Sequence, residues 1–276
     1  MEPPVRMDLT REEYLALEPV EFRARFRERV HHTLEIQTYA AIDSGKRLSQ
    51  SQTDKVRGLM QIWEAKGLPK DAPDYQWAAE LVCFAELCQA EKKVDLTRFA
   101  PRKLSPADVQ AFDAILYERR SVRHWTDQEV PDHIIDKLMN AGLWAAHSCN
   151  LQSIRYLVVR EKNEPGLFLG SDIPGGPVHI VLMQDERVYH ANPRNPVRNR
   201  LLDCGAAAQN IVVAAHAYGL GGCWLTFTDK MIERLNQRFK IPEHTKIVTY
   251  VDVGYPNQTP APPRRLTLAE MVFARV

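Results

Sequence analysis

A proline-bearing stretch at residues 100–106 divides the sequence into two parts with different hydrophobic patterns. Before it, apolar residues recur at helical spacing, as at Phe22, Phe26 and Val30. After it, the pattern changes to alternating helices and strands. Pro106 suits the first turn of a new helix. We therefore predict an all-helical N-terminal extension over residues 1–106 and a second domain over residues 107–276.

The second part has the pattern of a mixed helix and strand domain with a buried sheet. Strands are indicated at Ile154–Arg160, at Val178–Met183 and from Lys246 onward. Because Val178–Met183 is continuously apolar, we expect this strand to be covered on both faces. Leu201–Tyr218 is predicted to be the most apolar helix. The segment before it, Asp185–Arg200, is polar and proline-bearing, and it is predicted to be a loop long enough to be functional.

Charge and cysteine usage exclude several classes of protein. Lys and Arg number 36 and Asp and Glu number 35, so the basic surplus expected of a general nucleic-acid binder is absent. The cysteine count is odd, at five, and no pair has Cys-x-x-Cys spacing. Free thiols are therefore expected, with no disulfide framework and no metal site. No signal-peptide pattern or membrane span is indicated, so we expect a cytoplasmic protein that binds no membrane.

The segment Arg119–Arg123, here named the basic corner, places three arginines and one serine within five residues. It lies between two predicted helices, one ending near Glu118 and one beginning near Pro131. A basic cluster at such a position can hold a phosphate group through bidentate hydrogen bonds and still present a further cation. A solvated charge patch explains the same residues at least as well, so the local sequence leaves both interpretations open.

Three further pieces of sequence lie downstream of the basic corner. They are the segment from Ser148 to Gln152, the stretch from Asp203 to Trp224 with its Gly-Leu-Gly-Gly turn, and Val253–Pro256 followed by a basic tail. Together with the corner, they resemble the FMN-dependent nitroreductase family over about residues 109–276. The resemblance implies an α+β fold with a mostly antiparallel central sheet flanked by helices. It also implies an intertwined homodimer with FMN at the subunit interface, and it gives the helical extension no counterpart.

The resemblance also assigns residues to a flavin site. Arg119 and Ser121 are implied to contact the phosphate and ribityl part of FMN, and Arg123 is implied to approach the pyrimidine end of the ring. The segment around Asn150 is implied to reach the flavin from the partner subunit, and the chain near Thr226 to offer a backbone N–H to flavin N5. The full implied cofactor-binding set is Arg119, Arg120, Ser121, Arg123, Ser148, Asn150, Gln152, Leu225, Thr226, Arg264 and Arg265.

The implied activity is hydride transfer from NAD(P)H through flavin N5 to a small acceptor, by a ping-pong mechanism. The acceptor would be a nitroaromatic, a quinone or an activated alkene. Because the flavin carries this chemistry, no catalytic side chain is predicted beyond Arg123, which would stabilise the reduced flavin. Two alternatives stay open. One is a specialised member of the family, such as a dehalogenase-like, flavin-fragmenting or biosynthetic dehydrogenase enzyme, and the other is a non-catalytic protein that binds flavin or docks a partner.

Substrate contacts are sought in the Asp185–Arg200 segment, where family members vary their substrate lids. The candidates are Tyr189, His190 and Arg194, and a solvated loop is the alternative interpretation of the same residues. In the family, a polar side chain contacts the flavin pyrimidine, and the candidates for it in this sequence are Ser171 and Asp172.

Overall fold

The N-terminal extension is built from helices, as its hydrophobic spacing predicts. The computed structural model describes residues 9–45, 47–170, 175–192, 194 and 197–276. Thr10 caps the first helix with a side chain that accepts a hydrogen bond from the Glu13 N–H at 3.2 Å. The helices are α1 (Arg11–Ala16), α2 (Pro19–Arg29), α3 (Ile36–Ser44), α4 (Gln50–Ala65) and α5 (Pro73–Gln89). A π-helical stretch, Val30–Glu35, joins α2 to α3 without a break.

An aromatic cluster forms the core of the extension. Phe22, Phe26 and Trp63 are fully buried, and the ring centroids of Phe26 and Trp63 lie 5.0 Å apart. Trp63 also donates its indole N–H to the Pro69 carbonyl at 3.1 Å, which satisfies its one polar group. Because Phe22 and Phe26 are four residues apart on α2, both face Trp63 and hold α2 against α4.

The second part contains a four-stranded antiparallel sheet. Its strands are β1 (Ile154–Arg160), β2 (Val178–Asp185), β3 (Gly221–Leu225) and β4 (Thr245–Gly254), in the spatial order β1-β2-β4-β3. Every residue of β2 is buried, as its apolar run predicts. The α+β fold with an antiparallel sheet, expected from the resemblance, is confirmed.

Helices cover both faces of this sheet. Helices α7 (Asp132–Leu143) and α8 (Val197–Ala217) pack on one face and α9 (Asp229–Phe239) packs on the other, whereas α6 (Pro106–Glu118) and the short α10 (Leu268–Met271) have no buried residue. Neighbouring residues of β2 point to opposite faces. Accordingly, Ile180 shares a buried cluster with Ile211 of α8, whereas Val181 shares another with Met231 of α9.

A small apolar cluster joins the extension to the second part. Ala24 of α2 packs with Leu151, Val188, Tyr189 and Ala191, and all five residues are buried. Each part also has an apolar core of its own. The proposed boundary at residue 106 stays a prediction, with α6 as the first helix of the second part.

The predicted loop Asp185–Arg200 is shorter than expected. Glu186–Ala191 forms 3-10 turns that pack against α2, and α8 begins at Val197 instead of Leu201. The burial of apolar side chains against the extension explains this correction, because it fixes a segment that its polar residues alone predict to be open. Pro193, Asn195 and Pro196 lie outside the described residues.

Helix α6 leaves apolar side chains uncovered. None of its residues is buried, and Phe112 and Leu116 are exposed, as is Trp144 at the end of α7, at 82%. Within the described ranges, no helix combines the length and the apolar character needed to cross a bilayer. Large exposed apolar side chains of this kind mark a surface that another protein can cover.

Candidate functional site

The basic corner is fixed between α6 and β3. Helix α6 ends just before Arg119, whose extended backbone (ψ 135°) turns the chain toward the sheet. Ser121 pairs in parallel with Gly222, and the Val122 N–H donates to the Gly222 carbonyl at 3.2 Å. Val122 is buried against Gly221, where an added Cβ would lie 2.7 Å from the Val122 Cβ. A glycine at the start of β3 is therefore needed for the corner to pack closely.

The segment after β4 closes the corner from the other side. Trp125 pairs with Pro256, and its indole N–H donates to the Gly221 carbonyl at 2.9 Å. The Gln258 side chain accepts a hydrogen bond from the Arg123 N–H at 2.9 Å. These contacts lead the basic tail back toward the corner. Gln258 is a positioning residue that no sequence pattern indicated.

The arginines of the corner have no carboxylate partner among the residues that the structure describes. Across the described ranges, Arg119, Arg120, Arg123 and Arg265 form no ion pair with an acidic side chain, and Arg120 donates instead to the carbonyls of Tyr117 and Arg119. Arg119 is half-buried, and its pKa is lowered by burial and then by the charges of Arg265 and Arg120. Partly desolvated guanidinium groups without a counter-charge favour a bound anion, so this donor set fits the phosphate of FMN.

The two arginines of the tail differ in their relation to the corner. Arg265 lies close enough to Arg119 for its charge to lower the pKa of Arg119, whereas Arg264 is exposed and no described contact joins it to the corner. Cys223, buried beside the corner, has its pKa raised by burial, against the opposing charges of Arg123 and Arg119. The corner thus brings together Arg119, Ser121, Arg123 and Arg265.

The turn from Ser148 to Gln152 has a strained backbone. Cys149, Asn150 and Gln152 all have positive φ, between 51° and 55°, which residues other than glycine rarely adopt. The Gln152 amide donates to the Asn150 Oδ1 at 3.1 Å, and the Ser148 N–H donates to the Asp203 Oδ1 at 3.0 Å. Several such residues in one short turn are typical of a backbone that is held for a function.

The corner and this turn do not meet directly within one chain. The turn precedes β1 and the corner packs on β3, and these two strands are the opposite edges of the sheet. Three strand spacings of roughly 4.8 Å separate the edges by about 14 Å. Among the described residues, no hydrogen bond or ion pair joins the turn to the corner within one copy of the chain.

Leu225 and Thr226 lie at the end of β3. The Leu225 carbonyl accepts a hydrogen bond from the Thr249 hydroxyl at 2.6 Å, which fixes the strand end. Thr226 follows as an exposed residue, and in the part of the chain that the structure describes its N–H has no protein acceptor. A fixed strand end with an open N–H can donate to a ligand.

Tyr189 occupies the core and not the surface. It is 3% exposed, its hydroxyl donates to the Asp203 Oδ2 at 2.9 Å, and the Ser153 hydroxyl lies 2.8 Å away. Burial raises the pKa of Tyr189, and this placement argues against a direct contact with substrate. Asp203 accepts hydrogen bonds from both Tyr189 and the turn at Ser148, and so positions both. The only sign of this role in the sequence was a single acidic residue in an apolar helix.

The other substrate candidates are exposed. His190 lies on the 3-10 turns with its Nδ1 3.5 Å from the Glu21 Oε1 of α2, and Arg194 lies three residues after Ala191, where these turns end. Both side chains face solvent and are free to contact a ligand. Ser171 and Asp172 lie outside the described residues.

The fold is that of an α+β protein, and the basic corner is its candidate site for a phosphate-bearing ligand. The model of the nitroreductase family matches residues 116–167 and 166–255. A proposed NADH dehydrogenase/NAD(P)H nitroreductase of Methanothermobacter thermautotrophicus is 30% identical over 182 residues, which cover 63% of this chain and 91% of that protein. The chain belongs to the nitroreductase family.

Two solved structures share the fold. A proposed nitroreductase from Desulfovibrio desulfuricans, in complex with FMN, superposes with a TM-score of 0.51 at 27% identity, over 63% of this chain and 99% of that chain. A proposed NADH oxidase from Clostridium acetobutylicum superposes with a TM-score of 0.52 at 25% identity, over 59% of this chain and 99% of that chain. The share of this chain that they leave uncovered is close to the length of the helical extension.

Proposed function

We propose that this chain is an FMN-dependent oxidoreductase that transfers hydride from NAD(P)H to a small organic acceptor by a ping-pong mechanism. The acceptor class is a nitroaromatic, a quinone or an activated alkene. The Desulfovibrio homologue holds FMN, and the name of the Methanothermobacter relative includes NAD(P)H and nitroreductase activity. The observation that carries the proposal is the basic corner, where Arg119, Arg123 and Arg265 gather without a carboxylate among the described residues.

In this proposal, the residues of the corner contact different parts of the cofactor. Bound FMN supplies the atom that accepts and donates hydride, N5. Arg119, Ser121 and Arg265 hold the phosphate, through charge-assisted hydrogen bonds worth about 1.5–3 kcal/mol each. Arg123 provides a fixed cation for the negative charge that the reduced ring carries. The open N–H of Thr226 orients the edge of the ring.

A homodimer completes the site in this proposal. The turn at Asn150 and the corner lie at opposite edges of the sheet, so a second copy can bring its turn to the corner of the first. Phe112 and Leu116 of α6 and Trp144 at the end of α7 supply exposed apolar surface that such a dimer would bury. The dimer then holds two FMN molecules at its subunit interface.

Anaerobic titration of the purified protein with NADH and with NADPH tests the activity. We expect a yellow protein whose flavin absorption bleaches with at least one donor and recovers when a nitroaromatic is added. A colourless protein that takes up no added FMN would contradict the proposal. A bound flavin that neither nucleotide reduces would remove NAD(P)H as the donor.

Mixed dimers test whether the site is shared between subunits. Arg119→Ala damages the corner, and Asn150→Gly removes the amide from the turn while tolerating its positive φ. Each homodimer then has two damaged sites, whereas a heterodimer has one intact site and one doubly damaged site. Isolated heterodimers should therefore regain FMN binding and turnover at one site. Heterodimers as inactive as both parents would show that the two residues do not meet across the interface.

A further inference from the structure

A second cluster of arginines lines a cavity between the extension and the sheet. This junction cavity has a volume of about 260 Å³ and is lined by Val20, Arg23, Arg27, Gln152 and Arg155. Among the described residues, its wall contains three guanidinium groups and no carboxylate. Two of the arginines come from α2, which lies outside the residues that match the nitroreductase family.

The two arginines of α2 that line the cavity share one counter-charge. Asp74 of α5 is buried, and it accepts hydrogen bonds from Arg23 at 2.9 and 2.8 Å and from Arg27 at 3.1 Å. A single carboxylate therefore serves two guanidinium groups. One positive charge of this pair is left over on the side of the cavity.

Arg155, at the start of β1, is also incompletely balanced. It donates to the carbonyls of Gln152 and Ile154, at 3.1 and 2.9 Å. Its Nη2 lies 3.6 Å from the Asp185 Oδ2, and Asp185 also accepts three hydrogen bonds from Arg187, one from the backbone N–H and two from the side chain. Arg155 thus shares this carboxylate with Arg187, which also pairs with Glu18, and no described carboxylate is committed to Arg155 alone.

Arg27 is the most deeply buried of the three arginines. It is 6% exposed, and its Nη2 donates to the Leu151 carbonyl at 2.8 Å, but its Nε has no hydrogen-bond partner within the described ranges. Burial lowers the pKa of Arg27 to about 10, and the charges of Arg23 and Arg155 add to this effect against the attraction of Asp74. A buried cation with incomplete compensation is costly, and an anion beside it would reduce that cost.

We propose that the junction cavity binds the phosphate or carboxylate group of a small molecule, with Arg23, Arg27 and Arg155 as its donors. The planar guanidinium group matches both anions with paired hydrogen bonds. The cavity adjoins Gln152, whose amide contacts Asn150 in the turn proposed to reach the flavin of a second subunit. The anion is therefore part of an acceptor or of the donor nucleotide. This assignment rests on the proposed function, but the existence of the anion site does not.

Binding of inorganic phosphate to the purified, FMN-loaded protein tests the site. Bound FMN fills the basic corner, so a calorimetric titration at constant ionic strength, with chloride as the reference anion, reports on the cavity. Arg23→Gln and Arg155→Gln should each weaken phosphate binding roughly tenfold or more, the loss expected for one charge-assisted hydrogen bond. Both side chains are more than a third exposed, at 38% and 37%, so these variants are expected to fold.

Arg238→Gln is the matched control for this titration. It removes one positive charge from the exposed surface of α9, far from the cavity lining. Phosphate affinity should be unchanged in this variant. Equal phosphate affinity in the parent and all three variants, or no binding beyond that of chloride, would overturn the proposal.

Steady-state kinetics distinguish the sources of the anion. The acceptors 4-nitrobenzoate and nitrobenzene differ by one carboxylate, and the donors NADPH and NADH differ by one phosphate. If the cavity binds a carboxylate of the acceptor, Arg155→Gln should raise KM for 4-nitrobenzoate but not for nitrobenzene. If it binds a phosphate of the donor, the same variant should raise KM for NADPH but not for NADH. In both cases kcat should be unchanged. A loss of phosphate binding without either effect on KM would assign the cavity to a free anion.

Failure of this proposal can be told apart from failure of the proposed function. If the protein takes up no FMN, the proposed function fails, but the dependence of phosphate binding on Arg23 and Arg155 can still be measured. If the flavin is bound and turns over, but phosphate affinity is the same with and without Arg23 and Arg155, only the anion site is overturned.

Discussion

The basic corner and the junction cavity are both built from arginines, but their charges are balanced differently. At the corner, the guanidinium groups have no acidic partner in the described part of the chain. At the junction, Arg23 and Arg27 share the buried Asp74 before any ligand arrives. Loss of a charge at the corner should therefore affect ligand affinity alone, whereas loss of a charge at the junction should affect folding as well.

The two clusters also differ in what holds them in place. The corner is positioned by its backbone, through the hydrogen bond from Val122 to Gly222 and the pairing of Trp125 with Pro256. Its side chains have few structural contacts and are free to bind. At the junction, the side chains themselves are structural, since Arg27 bonds to the Leu151 carbonyl and so ties α2 to the second part of the chain.

The largest effect is expected for Asp74→Asn. The substitution leaves Arg27 buried without its charged partner, and breaking a buried ion pair lowers the free energy of unfolding by about 3–5 kcal/mol. Urea unfolding followed by tryptophan fluorescence measures this loss. The same variant should bind inorganic phosphate more tightly, because a competing carboxylate has been removed.

Glu164→Gln is the control for Asp74→Asn. It removes the carboxylate partner of Arg238 from the surface of the second part. Because exposed ion pairs contribute little, the free energy of unfolding should change far less, and phosphate affinity should not change. If the two variants were equally destabilised, the junction would be no more dependent on its counter-charge than an exposed pair.

Arg119→Ala should weaken FMN binding with little change in stability. Loss of one charge-assisted hydrogen bond to the phosphate predicts a Kd raised roughly tenfold to a hundredfold. Arg119 has no acidic partner in the described ranges and is repelled by Arg265, so the free energy of unfolding of the flavin-free protein should change by less than about 1 kcal/mol. Flavin fluorescence titration and urea unfolding measure the two quantities, with Arg238→Ala as the control. If Arg119→Ala instead lowered the free energy of unfolding and left FMN affinity unchanged, the corner would be a structural cluster and not a binding site.

The corner could be found from the sequence and the junction could not. The residues of the corner are neighbours along the chain, so their proximity requires no knowledge of the fold. Arg23 and Arg155 come together only because α2 packs on the second part, through Ala24 and Leu151. The extension has no counterpart in the family pattern, so nothing in the sequence indicated where it would pack.

The hydrophobic pattern predicted the types of the elements better than their ends. Strand β2 is buried on both faces, as expected, because an apolar run leaves few alternatives. Helix α8 begins at Val197 and not at Leu201 because the preceding turns are fixed by the extension. The turn that contains Asn150, with its positive φ, likewise makes a tertiary contact, the hydrogen bond from Ser148 to Asp203, which spacing does not reveal.

Arg123→Ala tests the electrostatic role of the corner at the redox end of the flavin. Removing a fixed cation should lower the midpoint potential of bound FMN by about 30 mV, a tenfold change in the reduction equilibrium of a two-electron couple. Within the described part of the chain, the only hydrogen bond of the guanidinium group is a 3.5 Å contact with the Ser121 carbonyl, so the fold should be preserved. Spectroelectrochemical titration measures the potential, and Arg123→Lys should restore most of it. A potential that is the same in all three proteins would place Arg123 away from the ring.

The smallest effect is expected at acid pH, at Asp185 beside the junction cavity. Burial acts to raise the pKa of Asp185, but hydrogen bonds from Arg187 and the charges of Arg187 and Arg155 outweigh it and hold this pKa below its usual value. A carboxylate with a lowered pKa contributes stability that is present above about pH 4 and is lost as the pH falls through the folded-state pKa. Arg187→Gln removes these hydrogen bonds, so the onset of acid unfolding should move upward by roughly half a pH unit.

Circular dichroism against pH measures that onset, and Arg238→Gln, which affects only an exposed pair, should leave it where it is in the parent. The result shows which arginine balances the charge of Asp185. If Arg187→Gln shifts the onset, then Asp185 is committed to Arg187, and Arg155 keeps its charge for a ligand. If the onset does not move, Arg155 alone keeps Asp185 ionised at 3.6 Å, so its charge is already balanced and the junction cavity has one cation fewer to offer an anion.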